Sequence, residues 1–253
     1  MMYLGNQAVG INTNTNINPF SKITSLASNW EYTIFDSNED IIVDCSDIYY
    51  IDYQGNKLAS SLARAFYNAR NLRSITLKNY YGYPSGPVMT NFATKDGYYG
   101  VYEDNLSLIS FEEKVIAPGG FVDAFSGRKN LITIDAIFDL SRIPAYSGGY
   151  NFRNAFNGCT SLKEIRFVPN SILWMNYQLF NVSQNLSDES LISIANGLDS
   201  AATQYNSITF LSTPKERCST LMGKNENGLF VADENGTLSL YNFITTIKGW
   251  TIN

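Results

Sequence analysis

Histidine is absent from this 253-residue chain, cysteine occurs three times and proline seven times. The missing imidazole excludes Ser-His-Asp and Cys-His nucleophiles, His-ligated zinc and the usual general base near neutral pH. Carboxylate-only catalysis, as in glycoside hydrolysis, survives that exclusion. Cys45, Cys159 and Cys218 are far apart and odd in number, so they make no CxxC and no metal spacing; they read as small buried hydrophobes. Positive charge is also scarce: 18 Lys and Arg stand against 23 Asp and Glu, a formal net charge of -5. The chain therefore carries no basic footprint for nucleic acid or anionic lipid. No run approaches the roughly 18 apolar residues of a membrane span. The opening Met1-Met2-Tyr3-Leu4-Gly5-Asn6 has no basic stretch leading into an apolar one, so a route outside general secretion is expected. There is no GxxxxGK, GxGxxG or GxSxG. Neither a cofactor nor a metal site is expected, and catalysis is not.

What the chain does contain is one pattern written three times. Residues 65–75, 124–134 and 155–165 each have Ala-Phe, then Leu six residues after the Phe and Ile nine after. The anchors are Phe66, Leu72 and Ile75; Phe125, Leu131 and Ile134; Phe156, Leu162 and Ile165. Apolar positions at fixed offsets mean that each unit contributes the same side chains to one continuous core. A degraded copy, Leu106 to Phe111, aligns if Gly100 takes the Phe position, and a further copy begins at Leu179-Phe180 with Leu186 at the expected offset. Anchors at 66, 100, 125, 156 and 180 give steps of 34, 25, 31 and 24. These steps fit leucine-rich units of roughly 20–29 residues with insertions looping off one side. Leu-x-x-Ile-x-Leu reads as a short strand, and the Ala-Phe step as a tight turn whose rings form a spine.

The flanks read differently. Residues 1–28 form a polar, Asn-rich extended arm. Residues 29–60 carry β-branched and aromatic runs at 32–35, 41–45 and 48–51, which predict two or three strands capping the first repeat. Residues 61–186 hold the repeats. Residues 187–253 predict an α/β cap. In it, a helix opens at Ser187 with Leu191, Ile194, Ala195 and Leu198 on one face, and a strand spans 207–211. A second helix is N-capped by Thr213 with Glu216 closing a capping box, a third runs over 238–247, and a last strand covers 250–252. The expected fold class is an α/β leucine-rich repeat solenoid with irregular repeats, an N-terminal β cap and a C-terminal strand-helix cap.

The copy at 155–165, continued by Val168-Pro169-Asn170-Ser171-Ile172, resembles the BspA-like leucine-rich repeat: Ala-Phe, two small residues, Cys, Leu, Ile, then Pro-Asn-Ser and an aliphatic residue. The copies at 65 and 124 depart from it with Ala69 and Arg128 in the Cys position. The tail, from Asn185-Leu186-Ser187-Asp188-Glu189 to Lys248-Gly249-Trp250-Thr251-Ile252, resembles the ends of repeat proteins of phages and prophages of gut bacteria. The resemblance implies surface adhesion or particle assembly without catalysis. It implies a virion location, in a tail, baseplate or fibre, with other particle proteins as partners in a multimeric assembly. A host-surface glycan or protein is a further possible partner. A bacterial BspA-like surface adhesin is the alternative.

Six tyrosines, Tyr80, Tyr81, Tyr83, Tyr98, Tyr99 and Tyr102, crowd an insertion at 79–102 among glycines and prolines. Tyrosine offers a rigid apolar face with a polar tip, suited to stacking on a sugar or a protein surface, and equally to packing a long loop over the solenoid edge. Acidic pairs occur at Glu39/Asp40, Glu103/Asp104, Glu112/Glu113 and Asp233/Glu234. A carbohydrate-active enzyme would need two such carboxylates across a cleft, whereas acids adjacent on turns are ordinarily solvated. Asp233 to Gly236 has its Gly too early for a calcium loop.

Overall fold

The computed structural model describes residues 2–4, 7–9, 40–45, 49–51, 57–59, 62, 66, 72–80, 89–95, 104–118, 120–142, 153–173, 183–201 and 206–253. It is a mixed α/β structure built around a five-stranded parallel sheet that does not close into a barrel. Ahead of that sheet, strands β1 (Met2–Leu4) and β2 (Gln7–Val9) pair as an antiparallel hairpin. The polar stretch from 10 to 28 and the expected strand at 32–35 lie outside the described residues. The sheet comprises β3 (Asp40–Asp44), β6 (Ser74–Lys78), β7 (Leu108–Ile116), β8 (Thr133–Phe138) and β9 (Glu164–Phe167), and its strands neighbour one another in chain order. Between β3 and β6 a second hairpin joins β4 (Tyr49–Ile51) to β5 (Lys57–Ala59).

Register places Asp40, Ser74, Leu108, Thr133 and Glu164 in one row across the sheet. Inward positions alternate along each strand, so Ile75, Leu77, Ile109, Phe111, Ile134, Ala136, Phe138, Ile165 and Phe167 are buried together. The Leu of each unit (Leu72, Leu106, Leu131, Leu162) is buried just before its strand. The residue after it presents a carbonyl to the next unit: Arg73 O accepts from Ser107 N, Ser107 O from Ile132 N, and Ile132 O from Lys163 N.

A second ladder runs through the turns. Asn91, Asp123 and Asn154 adopt φ of 51°, 52° and 52°, the left-handed region that Asn and Asp tolerate best. From those points the backbones of successive turns bond to one another. Phe66 N donates to Phe92 O at 2.8 Å, Ala93 N to Ala124 O at 2.7 Å, and Phe125 N to Ala155 O at 2.9 Å. Gly127 N then reaches Asn157 O at 2.7 Å. The approach is close enough that a Cβ on Gly127 would lie 2.0 Å from the carbonyl oxygen of Lys95. No other residue type fits there.

This ladder corrects the alignment of the degraded copy. Ala93, not Gly100, occupies the position equivalent to Phe125 and Phe156, and Phe92 stands where the other turns have Ala. The pair is inverted, and the chain then takes thirteen residues rather than six to reach Leu106. The inversion leaves a geometric trace in the spine. Phe125 and Phe156 stack at 12° with centroids 5.9 Å apart, but Phe92 meets Phe66 and Phe125 edge-on, at 85° and 86°. A ring entering from the neighbouring backbone position meets its partners with its edge. Phe66, Phe125 and Phe156 are buried in the same cluster; Phe180 lies outside the described residues.

The position after each turn holds a second signature. Cys159 Sγ bonds Phe125 O at 3.2 Å, and its counterpart Arg128 bonds the equivalent carbonyl of Ala93 through Nε at 2.5 Å. The longer side chain goes further: one terminal nitrogen reaches Phe66 O, the other Asp104 Oδ1, both at 3.1 Å. Arg128 and Asp104 side chains are 1% and 3% exposed. One guanidinium thus ties three successive units together in the interior.

At the far edge of the sheet the pattern changes by design of two hydroxyls. Ser187 N donates to Lys163 O, as a further unit would, but Ser187 then caps helix α1 (Asp188–Gly197), its side chain accepting from Ser190 N. Ser190 Oγ accepts from Ile165 N at 3.0 Å and Ser193 Oγ from Phe167 N at 2.9 Å, replacing the missing strand partner. An edge that would template another strand is closed by side chains three residues apart on a helix.

Beyond α1, β10 (Ser207–Ile208) pairs in parallel with β14 (Thr251–Ile252). The expected strand at 207–211 is shorter than the sequence pattern because Leu211 already caps helix α2 (Ser212–Thr220). Thr213 is not that cap: its own N–H donates to Gln184 Oε1 at 2.9 Å, so a neighbouring segment satisfies the helix start. Strands β11 (Met222–Glu226), β12 (Leu229–Ala232) and β13 (Leu238–Ser239) form an antiparallel sheet that sequence patterning did not anticipate. Its signal was the Asn227-Gly228 turn, at φ 53° and 81°. The expected helix over 238–247 resolves into β13, a single α turn α3 (Leu240–Asn242) and a π-helical turn at 243–247.

Replacing Arg128 by Met should destabilise the fold by roughly 3–5 kcal/mol, because the buried Asp104 carboxyl loses its ion-pair partner. The double variant R128M/D104L should recover a large part of that loss in urea unfolding. Equal midpoints for the single and double variants would show that the pair does not act as a unit.

Candidate functional site

Two surfaces were candidates: the tyrosine-rich insertion and the acidic pairs. Tyr80 is not on a surface. It follows Asn79, which turns the chain at φ 53°, and its ring is fully buried against Phe111 at 5.3 Å and Phe121 at 6.1 Å, both edge-on. Its N–H donates to Glu113 Oε2 at 2.9 Å. Tyr80 is therefore a core residue, and its candidacy for partner or glycan contact is withdrawn. Nothing in the local sequence marked it as a core residue, because its burial depends on the Phe111 and Phe121 rings of later segments. Tyr81, Tyr83, Tyr98, Tyr99 and Tyr102 lie outside the described residues.

The carboxylates are committed elsewhere. Asp104 holds Arg128, and its second oxygen accepts from Asn130 N at 3.4 Å. Asp40 accepts from Arg73 and from Ser74 Oγ, each at 2.8 Å. Glu112 lies 4.0 Å from Lys78, and Glu113 holds the Tyr80 backbone. Asp233 closes its own turn, accepting from Asn235 N at 3.0 Å. Glu39 and Glu103 lie outside the described residues.

The remaining extended surface is the outer face of the five-stranded sheet. Alternation sends Ser74, Thr76 and Lys78 outward from β6, with Ser110 and Glu112 beside them on β7. Thr76 and Ser110 hydroxyls bond at 2.9 Å. On β8, Asp135 sits between Lys114 and Arg166, the latter at 2.7 Å. At one end Val115 pairs across the strands with Ile137, and Val115 is 57% exposed. The face thus offers hydroxyls and already paired charges of both signs. Exposed pairs of this kind contribute little stability each, and they can exchange partners at small cost.

Polar groups packed at the C-terminal end serve architecture. Asn196 pairs with both backbone groups of Phe230, through Nδ2 at 3.1 Å and Oδ1 at 2.6 Å, which docks the β11–β12 hairpin on α1. Lys248 donates to Asn170 Oδ1 at 2.5 Å and sits 5.5 Å from the Phe243 ring centroid. Burial lowers its pKa below the ordinary lysine value, partly offset by Asp199. Among the described residues, no group of three or more His, Cys, Asp or Glu is placed to hold a metal ion. No described helix is long and apolar enough to cross a membrane.

Comparison with protein-family models, with curated proteins and with solved structures returns no match.

Tyr80→Ala is expected to cost roughly 3–5 kcal/mol, the range for emptying a buried aromatic site. A thermal melt unchanged from wild type would return Tyr80 to the surface. Alkaline pH provides a second test. Burial pushes the thiols of Cys159 and Cys218 up from 9.0 to about 12. Their contribution to stability is full below pH 9.0 and is lost as pH rises towards about 12, because the unfolded chain releases these protons first. The C159A/C218A variant should lose less stability than wild type over that window in pH-resolved urea titrations; parallel losses would contradict the assignment.

Proposed function

We propose that this chain is a leucine-rich repeat solenoid with a structural and adhesive role, and not an enzyme. In this reading it is a component of a phage particle, associated with a tail, baseplate or fibre. It assembles with other particle proteins and presents its sheet face to a neighbour or to a host-surface glycan or protein. The observation that carries the reading is the pairing of parallel strands in chain order, at steps of 34, 34, 25 and 31 residues. A second ladder of turn-to-turn hydrogen bonds accompanies it. Stacked units with equivalent side chains create an extended, pre-formed surface rather than a cleft.

The chemistry of that surface supports contact without catalysis. Hydroxyls and compensated ion pairs make many weak bonds, and repeated copies in an assembly convert weak contacts into useful avidity. The reading also draws on the likeness of residues 155–172 to BspA-like repeats. Against a carbohydrate-active enzyme stands the use of Asp104 to hold Arg128 in the interior.

The test is proteomic. Particles purified from an induced lysogen of the strain that carries the gene should contain the chain at a fixed ratio to tail proteins. Recovery in the bacterial envelope fraction alone would favour the surface adhesin. Glycan hydrolysis abolished by a single carboxylate substitution such as Glu112→Gln would overturn the non-enzymatic reading.

A further inference from the structure

The sequence contains four Asn-Gly pairs, Asn157-Gly158, Asn196-Gly197, Asn227-Gly228 and Asn235-Gly236. In an unfolded chain all four share the same local chemistry, since glycine adds no side chain to hinder its own nitrogen. The fold makes them unequal. Gly228 N donates to Asn225 Oδ1 at 3.0 Å, and Gly236 N to Asp233 O at 2.9 Å. Asn196 has both side-chain atoms engaged by Phe230, and Gly197 is buried at the end of α1. At the fourth pair the side chain of Asn157 is exposed, and the Gly158 N–H makes no hydrogen bond among the described residues.

We infer that Asn157 is a site of spontaneous covalent modification, deamidating ahead of the other three in the folded protein. The Gly158 backbone nitrogen gives up its proton and attacks Asn157 Cγ. The bond from Cγ to the side-chain nitrogen breaks, and ammonia leaves with that proton. The resulting five-membered imide is opened by water at either carbonyl, giving aspartate or isoaspartate. Water enters, ammonia leaves, and nothing is oxidised or reduced. Gly158 already has the positive φ of 76° that glycine tolerates, so its nitrogen is held in place by the turn without being occupied.

The position gives the reaction a structural consequence. Asn157 O accepts from Gly127 N at 2.7 Å, one rung of the ladder between neighbouring turns. The isoaspartyl product routes the main chain through the former side chain, displacing that carbonyl, and adds a negative charge to the turn. Ageing of this one residue loosens the joint between the unit at Phe125 and the unit at Phe156.

The experiment is incubation of the native full-length chain in mildly alkaline buffer, with peptide mapping and isoaspartate-specific methylation at intervals. Asn157 should convert roughly fivefold faster than Asn227 or Asn235, since freeing a bonded glycine nitrogen costs about one neutral hydrogen bond, ~1 kcal/mol. In strong denaturant the order should collapse to similar rates. Native conversion at Asn227 or Asn235 equal to or ahead of Asn157 would overturn the inference. So would an order in denaturant that still favours Asn157, because the selectivity would then belong to local sequence. The readout does not depend on any partner, so it stands or fails separately from the particle assignment.

Discussion

Buried backbone groups must be paired, and among the described residues the turns and strands between Phe66 and Phe167 find many of their hydrogen bonds on the units before and after them. That constraint governs the rest of the structure. It requires successive turns to share one conformation, which is why Asn91, Asp123 and Asn154 all enter the left-handed region. It brings turns so close that Gly127 has room for no side chain. It also explains how Cys159 and Arg128, chemically unrelated, hold equivalent positions: each donates to the equivalent carbonyl of its own preceding turn, Phe125 O and Ala93 O. The two units meet one geometric demand with different atoms.

Irregularity is absorbed where the ladder allows it. The inverted Phe92-Ala93 pair keeps the backbone rungs and changes only the ring orientation from stacked to edge-on. The long passage from Ala93 to Leu106 lies between the turn and the strand, and both ladders resume after it. Arg128 lies beside this irregular unit, and its bonds to Phe66 O, Ala93 O and Asp104 fasten the unit to its neighbours. A buried charge pair is a poor source of net stability, but removing one partner leaves the other uncompensated in the interior. At the other end, α1 stops the stack with Ser190 and Ser193, whose hydroxyls do for β9 what a sixth strand would otherwise do.

The division between interior and surface follows the same economy. The interior commits Asp104, Tyr80 and the cysteines to structure, and the outer sheet face is left with hydroxyls, paired charges and the Val115–Ile137 contact. Such a surface suits repeated weak contact. Burial raises the pKa of the Cys159 and Cys218 thiols, which keeps them in the poorly nucleophilic protonated form near neutral pH.

The amino-acid pattern alone determined the buried Phe, Leu and Ile anchors of the three regular copies, since a Leu six and an Ile nine residues after the Phe is a local periodicity. It also determined the opening of α1, where a capping Ser and an apolar stripe are local features. Where a local signal was overruled, a distant group had supplied the bond. Gln184 took the place of the Thr213 cap, and the turn partner of Ala124 moved the second anchor from Gly100 to Ala93. Only the tertiary structure decided that Tyr80 faces inward, that Asp104 meets Arg128, and that two serines seal the last strand. Each depends on which unit lies alongside, and adjacency between units is a property of the stack that no single unit encodes.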